Sequence, residues 1–89
     1  MIKVKETAIK GVYEFNYSSY EDNRGSFLNY FRGNENCYKN TWGNRDISQI
    51  NVSHNKKKGS IRGMHYQDKP YEEAKIISCI DGEIWDVVL

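Results

Sequence analysis

Apolar and polar positions alternate along much of this 89-residue chain. Residues 2–9 and 12–17 read as two short strands punctuated by Gly11. Tyr13, Phe15 and Tyr17 interleave with Glu14 and Asn16, the period of a strand with one buried face. A turn cluster follows at Glu21-Asp22-Asn23-Arg24-Gly25, after which Ser26–Phe31 resumes an apolar segment. Residues 32–46 carry no clean period and read as a long polar loop with room for one helical turn. From Ile47 the alternation sharpens. Gln49, Asn51 and Ser53 take one face of a strand and Ile50 and Val52 the other, so the polar face either meets water or lines a polar cavity. Lys56–Gly59 is a turn and Ile61–Gln67 a strand stopped by Asp68-Lys69-Pro70. Ala74–Ile80 and Glu83–Leu89 then flank Asp81-Gly82, a strong two-residue hairpin signal. The last of these strands has no turn or polar tail after it. The expectation is that the chain is part of a longer protein or that something outside it completes the sheet.

Composition turns this pattern into a fold class. Ile and Val together number 14, Leu and Ala only four, and there are 12 aromatic residues. β-Branched and aromatic side chains suit a pleated, half-buried surface, whereas Leu and Ala favour helices. The chain therefore reads as all-β, a single domain over residues 1–89. At this size only about 60% of the unfolded surface is buried on folding, which leaves an independent core marginal. Thirteen basic residues against 12 acidic ones give a net charge of +1, without the basic excess of a nucleic-acid binder. No apolar run reaches the ~20 residues of a membrane span. Met-Ile-Lys-Val-Lys leads into no signal-like apolar stretch, so a cytoplasmic location is expected. Cys37 and Cys79 lie far apart and form no paired metal-binding motif. Cys79 reads as a small core residue. Trp85 reads as core or as cover for a sheet edge, and Trp42 as a candidate for ligand stacking or a subunit contact.

Candidate chemistry concentrates in Ile61-Arg62-Gly63-Met64-His65-Tyr66-Gln67, with Lys75 ten residues after His65. An imidazole beside two cations suits proton abstraction from carbon, with Arg62 and Lys75 stabilising the oxyanion that results. Neighbouring cations also favour the neutral, basic form of an imidazole. Gln49 and Asn51 offer uncharged hydrogen bonds to a polyhydroxylated ligand. In a regular strand, residues three apart point to opposite faces, so Arg62 and His65 share a pocket only if the backbone is irregular near Gly63. The alternative is an exposed histidine and arginine with no joint role. His54, next to the lysine turn, reads as a solvated loop residue.

Five separated segments taken in order carry a resemblance: Asp22–Phe27, Gln49–Ser53, Gly59–Gln67, Ala74-Lys75 and Gly82–Val87. Together they resemble the amino-terminal half of the dTDP-4-dehydrorhamnose 3,5-epimerase family of the cupin superfamily, with Arg-Gly-x-His-Tyr-Gln the most diagnostic element. The resemblance implies an antiparallel jelly-roll β-sandwich of which this chain is the first half. It implies an isomerase that needs no metal or organic cofactor and inverts C3, C5 or both of a dTDP-4-keto-6-deoxy sugar. By the same resemblance His65 is the base, with Lys75 and Arg62 near the keto oxygen and sugar nucleotide. Gln49 and Asn51 contact substrate, and Arg24 reaches the nucleotide, often across a homodimer interface. The pattern departs at Asn29, where the family usually has a glutamate. Family members are also longer, and the acid tyrosine and the aspartate that orients the base fall in their second half. A catalytically inactive truncated relative, acting as a sugar-nucleotide-binding or dimerisation module, is the alternative.

Overall fold

A computed structural model describes residues 2–89, which divide into two units. One comprises the chain up to Asp46 together with Val87–Leu89, and the other is Ile47–Asp86.

In the first unit, β1 (Ile2–Glu6) pairs antiparallel with β2 (Tyr13–Tyr17). The register sets Ile2 opposite Tyr17 and Val4 opposite Phe15, so the apolar positions of both strands fall on one face. Lys5 lies opposite Glu14 on the other face, a favourable cross-strand charge pairing. β1 stops three residues short of the sequence expectation because Thr7 turns the chain. Its amide donates to Val12 O at 3.2 Å and its hydroxyl lies 2.8 Å from the same oxygen. Gly11, at φ +84°, completes the reversal in a backbone region that side chains rarely adopt. A second hairpin joins β3 (Tyr20–Asp22) to β4 (Gly25–Phe27), with Asp22 opposite Gly25 across the turn expected from Glu21–Gly25.

The expected helical turn within 32–46 is α1 (Asn36–Thr41). Asn, Thr and Cys are indifferent helix formers, so tertiary packing holds this short element. Tyr38, wholly buried, is its anchor. Its ring meets Phe15 of β2 at 5.2 Å and Phe31 at 4.5 Å between centroids, and Tyr17 stacks on Tyr30 at 5.3 Å. The Tyr38 hydroxyl donates to the Tyr30 carbonyl and lies 2.9 Å from the Tyr17 hydroxyl. Trp42 packs edge-on against Phe31 and donates its indole N–H to Arg45 O at 2.8 Å. It is thus engaged in the packing of its own unit.

The second unit keeps the expected turns but not the expected strands. Ser60 N donates to Lys57 O, and Tyr71 N donates to Asp68 O. Gly82 takes the left-handed conformation, at φ +81°. Yet no ladder forms among the described residues between Ile47 and Asp86, and the apolar positions there are open to solvent, Ile61 at 91% and Trp85 at 92%. Trp85 is therefore neither core nor edge cover, and Cys79 is exposed as well. Alternation defines which face of a strand would be buried, but the strand itself exists only where its N–H and C=O groups find a partner. The regular structure among the described residues is thus antiparallel β with a single short helix, the class expected from composition and in keeping with part of a cupin-like domain. No helix among the described residues is long and apolar enough to cross a membrane.

Candidate functional site

The six candidate residues divide between the units. Arg24 belongs to the first, at the tip of the β3–β4 hairpin; Gln49, Asn51, Arg62, His65 and Lys75 belong to the second. All six are exposed.

Arg24 is gripped by the residue two positions before it. Its backbone N–H donates to Asp22 Oδ1 at 2.8 Å, which closes the turn, while Nε and Nη2 donate to Asp22 Oδ2 at 3.2 and 2.6 Å. The guanidinium beside Asp22, then the backbone bond from the same residue, holds that carboxyl below the usual carboxylate range, and the arginine is raised in turn. Gly25, at φ +141°, follows immediately.

In the second unit Asn51 Nδ2 donates to Gln49 Oε1 at 3.3 Å, placing the two amides side by side as the alternation anticipates. Arg62 Nε donates to Asn55 Oδ1 at 2.7 Å, spanning the lysine turn between them. Gly63 lies at φ +102°, so the irregular backbone required near this residue is present. A β-carbon built there would sit 3.4 Å from His65 N and 3.5 Å from Nδ1. The imidazole thus rests against the bare face of Gly63. Farther on, the Gln67 side-chain nitrogen donates to the Glu73 carboxylate at 2.9 and 3.0 Å. Among the described residues, no hydrogen bond joins His65 to Arg62 or Lys75, and Lys75 has no side-chain partner. The pairings the alternation did not reveal are Asp22 with Arg24 and Asn55 with Arg62. The first had a sequence signal, since Asp two residues before the turn's arginine is the spacing of a side-chain-closed turn.

A groove of about 440 Å³ opens between the β1–β2 hairpin and α1, lined by Ile2, Val4, Glu6, Tyr13, Cys37, Asn40 and Thr41. It contains none of the six candidates. Burial and the Glu35 carboxylate push the Cys37 thiol up, so it stays protonated and is no nucleophile at neutral pH.

Antiparallel β pairing, with Arg62 and His65 on either side of the irregular backbone at Gly63, places the chain in a class of β proteins in keeping with part of a cupin-like domain. Comparison with known proteins resolves the class to a family. The family model for dTDP-4-dehydrorhamnose 3,5-epimerase matches residues 6–89, and the chain belongs to this family. A dTDP-4-dehydrorhamnose 3,5-epimerase of Shigella flexneri is 34% identical over 89 residues, covering 99% of this chain and 48% of its own length. One from Mycobacterium tuberculosis strain H37Rv is 28% identical, covering 99% and 43%. A dTDP-4-dehydrorhamnose 3-epimerase of Streptomyces niveus is 29% identical, covering 99% and 42%. The chain spans about half the length of the curated relatives it matches. No solved structure matches it significantly.

Proposed function

We propose that this chain carries the proton-abstracting half of a sugar-nucleotide epimerase acting at C3, C5 or both of a dTDP-4-keto-6-deoxy sugar. The observation that carries this reading is the family match over residues 6–89, a range that includes the positions of all six candidates. His65 takes the proton from the carbon beside the 4-keto group. The C–H electron pair moves into the new C=C bond, and the carbonyl pair moves onto oxygen as an enolate. Arg62 and Lys75 stabilise that oxyanion. Gln49 and Asn51 hydrogen-bond the sugar, and Arg24 meets the diphosphate. Return of a proton to the opposite face completes inversion, and no tyrosine of this chain is assigned that step. The protein is read as cytoplasmic. It is also read as a homodimer, supported by apolar side chains left exposed in the second unit.

Exchange needs only a base and an enolate stabiliser, whereas inversion needs a donor on the other face as well. Incubated with a dTDP-4-keto-6-deoxy sugar in heavy water, the chain is expected to introduce deuterium at C3 or C5, read by mass spectrometry and NMR. The exposure of every candidate residue favours a second reading, a sugar-nucleotide-binding module without turnover. Tight binding with no deuterium incorporated would establish that second reading instead.

Gly63 offers a finer test. A side chain at φ +102° costs about 1–2 kcal/mol, and 1.4 kcal/mol is a factor of ten. Gly63→Ala is therefore expected to reduce exchange about tenfold by displacing the segment that holds His65. Binding of dTDP should change little. An exchange rate equal to that of the parent chain would show that the position of His65 does not depend on Gly63.

A further inference from the structure

We infer that Asp22 is a positioning residue for the nucleotide diphosphate, fixing Arg24 so that one edge of its guanidinium is held and the other is presented outward. The inference rests on the proposed role of Arg24 at the diphosphate.

Arginine carries five N–H donors in a planar fork. Asp22 Oδ2 accepts from Nε at 3.2 Å and from Nη2 at 2.6 Å, which occupies the inner edge. The outer edge, formed by Nη1 and the second hydrogen of Nη2, has no partner among the described residues. The side chain is 86% exposed and that edge meets solvent. Two parallel N–H donors on a rigid plane match two oxygens of a phosphate. An ion pair this exposed does little for folding, because water and salt screen it. Its clearer consequence is to limit the rotamers of a long side chain at the tip of a hairpin.

The turn and the clamp use different oxygens of the same carboxylate. Oδ1 accepts the Arg24 backbone N–H at 2.8 Å and shapes the turn; Oδ2 holds the guanidinium. Asp22→Asn can therefore keep the turn, since the amide oxygen replaces Oδ1, while the nitrogen that replaces Oδ2 cannot accept from the guanidinium. Two effects on diphosphate binding then oppose each other. Removing the carboxylate relieves repulsion of the incoming anion, but at a site this exposed that repulsion acts through solvent of high dielectric constant and is weak. Freeing the arginine restores rotamer entropy that binding must remove again. The second effect is the larger.

The experiment compares dTDP and thymidine binding by the parent chain, Asp22→Asn and Arg24→Ala, using NMR titration in 0.15 M salt. The expected result is about threefold to tenfold weaker dTDP binding by Asp22→Asn, a larger loss by Arg24→Ala, and unchanged thymidine binding by both. A general disturbance of the fold would weaken thymidine binding too and would overturn the assignment. Undiminished dTDP binding by Asp22→Asn beside a weakened Arg24→Ala would overturn the positioning role alone and leave the diphosphate reading standing. Undiminished binding by Arg24→Ala would overturn both.

Discussion

His65→Ala is expected to reduce deuterium incorporation at C3 and C5 by about 10²–10⁴-fold, the range a positioned general base contributes. The proton beside a keto group is acidic only relative to other carbon acids, so its removal needs a base held at the C–H with its lone pair free. A neutral imidazole carries such a lone pair and is a stronger base than a carboxylate. His65 is exposed and makes no side-chain hydrogen bond among the described residues, so its truncation leaves no buried group unsatisfied. The far-UV spectrum and the affinity for dTDP should therefore match the parent chain. This combination separates chemistry from binding: a residue that only contacts substrate would lose affinity alongside rate. Exchange that persists in His65→Ala at the parent rate would remove this histidine from the role of base and turn attention to His54.

How much of this could be read along the chain depends on what each residue needs in order to act. Tyr13, Phe15 and Tyr17 predicted β2 correctly because its partner lies a few residues away and the pairing is local. The turns expected at Glu21–Gly25 and Lys56–Gly59 were equally legible, the second closing one residue on at Lys57–Ser60, since Asp and Gly mark the first and Gly the second within a few residues. α1 was visible only as room for a helical turn, because its stability comes from the burial of Tyr38 against Phe15 and Phe31 rather than from helix propensity. Ile61–Gln67, Ala74–Ile80 and Glu83–Leu89 show the opposite failure. Their residues favour strands, yet no ladder partner is present among the described residues, and exposed Ile61 and Trp85 are the result. At the site, residue types and order carried the family resemblance, and Gly63 marked where the backbone had to depart from a strand. The grip of Asp22 on Arg24 and of Asn55 on Arg62 was not drawn from the alternation. Side-chain partners across a turn depend on rotamers, which a pattern of apolar and polar positions does not encode.

Tyr38→Ala is expected to unfold the first unit. Removing a wholly buried aromatic costs about 3–5 kcal/mol, and whole domains have only about 5–15 kcal/mol to lose. A unit with one wholly buried side chain lies at the low end of that range. Near-UV circular dichroism should lose the signal of the packed tyrosines. Tyr38→Phe separates the ring from its hydroxyl. It keeps the contacts with Phe15 and Phe31 and loses the bonds to Tyr30 O and the Tyr17 hydroxyl. The expected cost is about 1 kcal/mol, and the fold survives. The same pair predicts an alkaline limit. Burial, reinforced at Tyr38 by the bond with Tyr17, raises both phenols above the ordinary tyrosine value of 10.0. An unfolded tyrosine releases its proton near that value while the folded one retains it, so above it the folded state binds more protons. This contribution to stability is complete below pH 10 and is lost as the pH rises beyond it. Every group but the Tyr38 hydroxyl is common to both chains, so the informative quantity is the difference between them. Denaturant midpoints measured from pH 8 to pH 11 should fall more steeply for the parent chain than for Tyr38→Phe, which has one such phenol fewer. Parallel curves would mean that Tyr38 ionises as freely in the folded protein as in the unfolded one, and that its hydroxyl is not held as the structure places it.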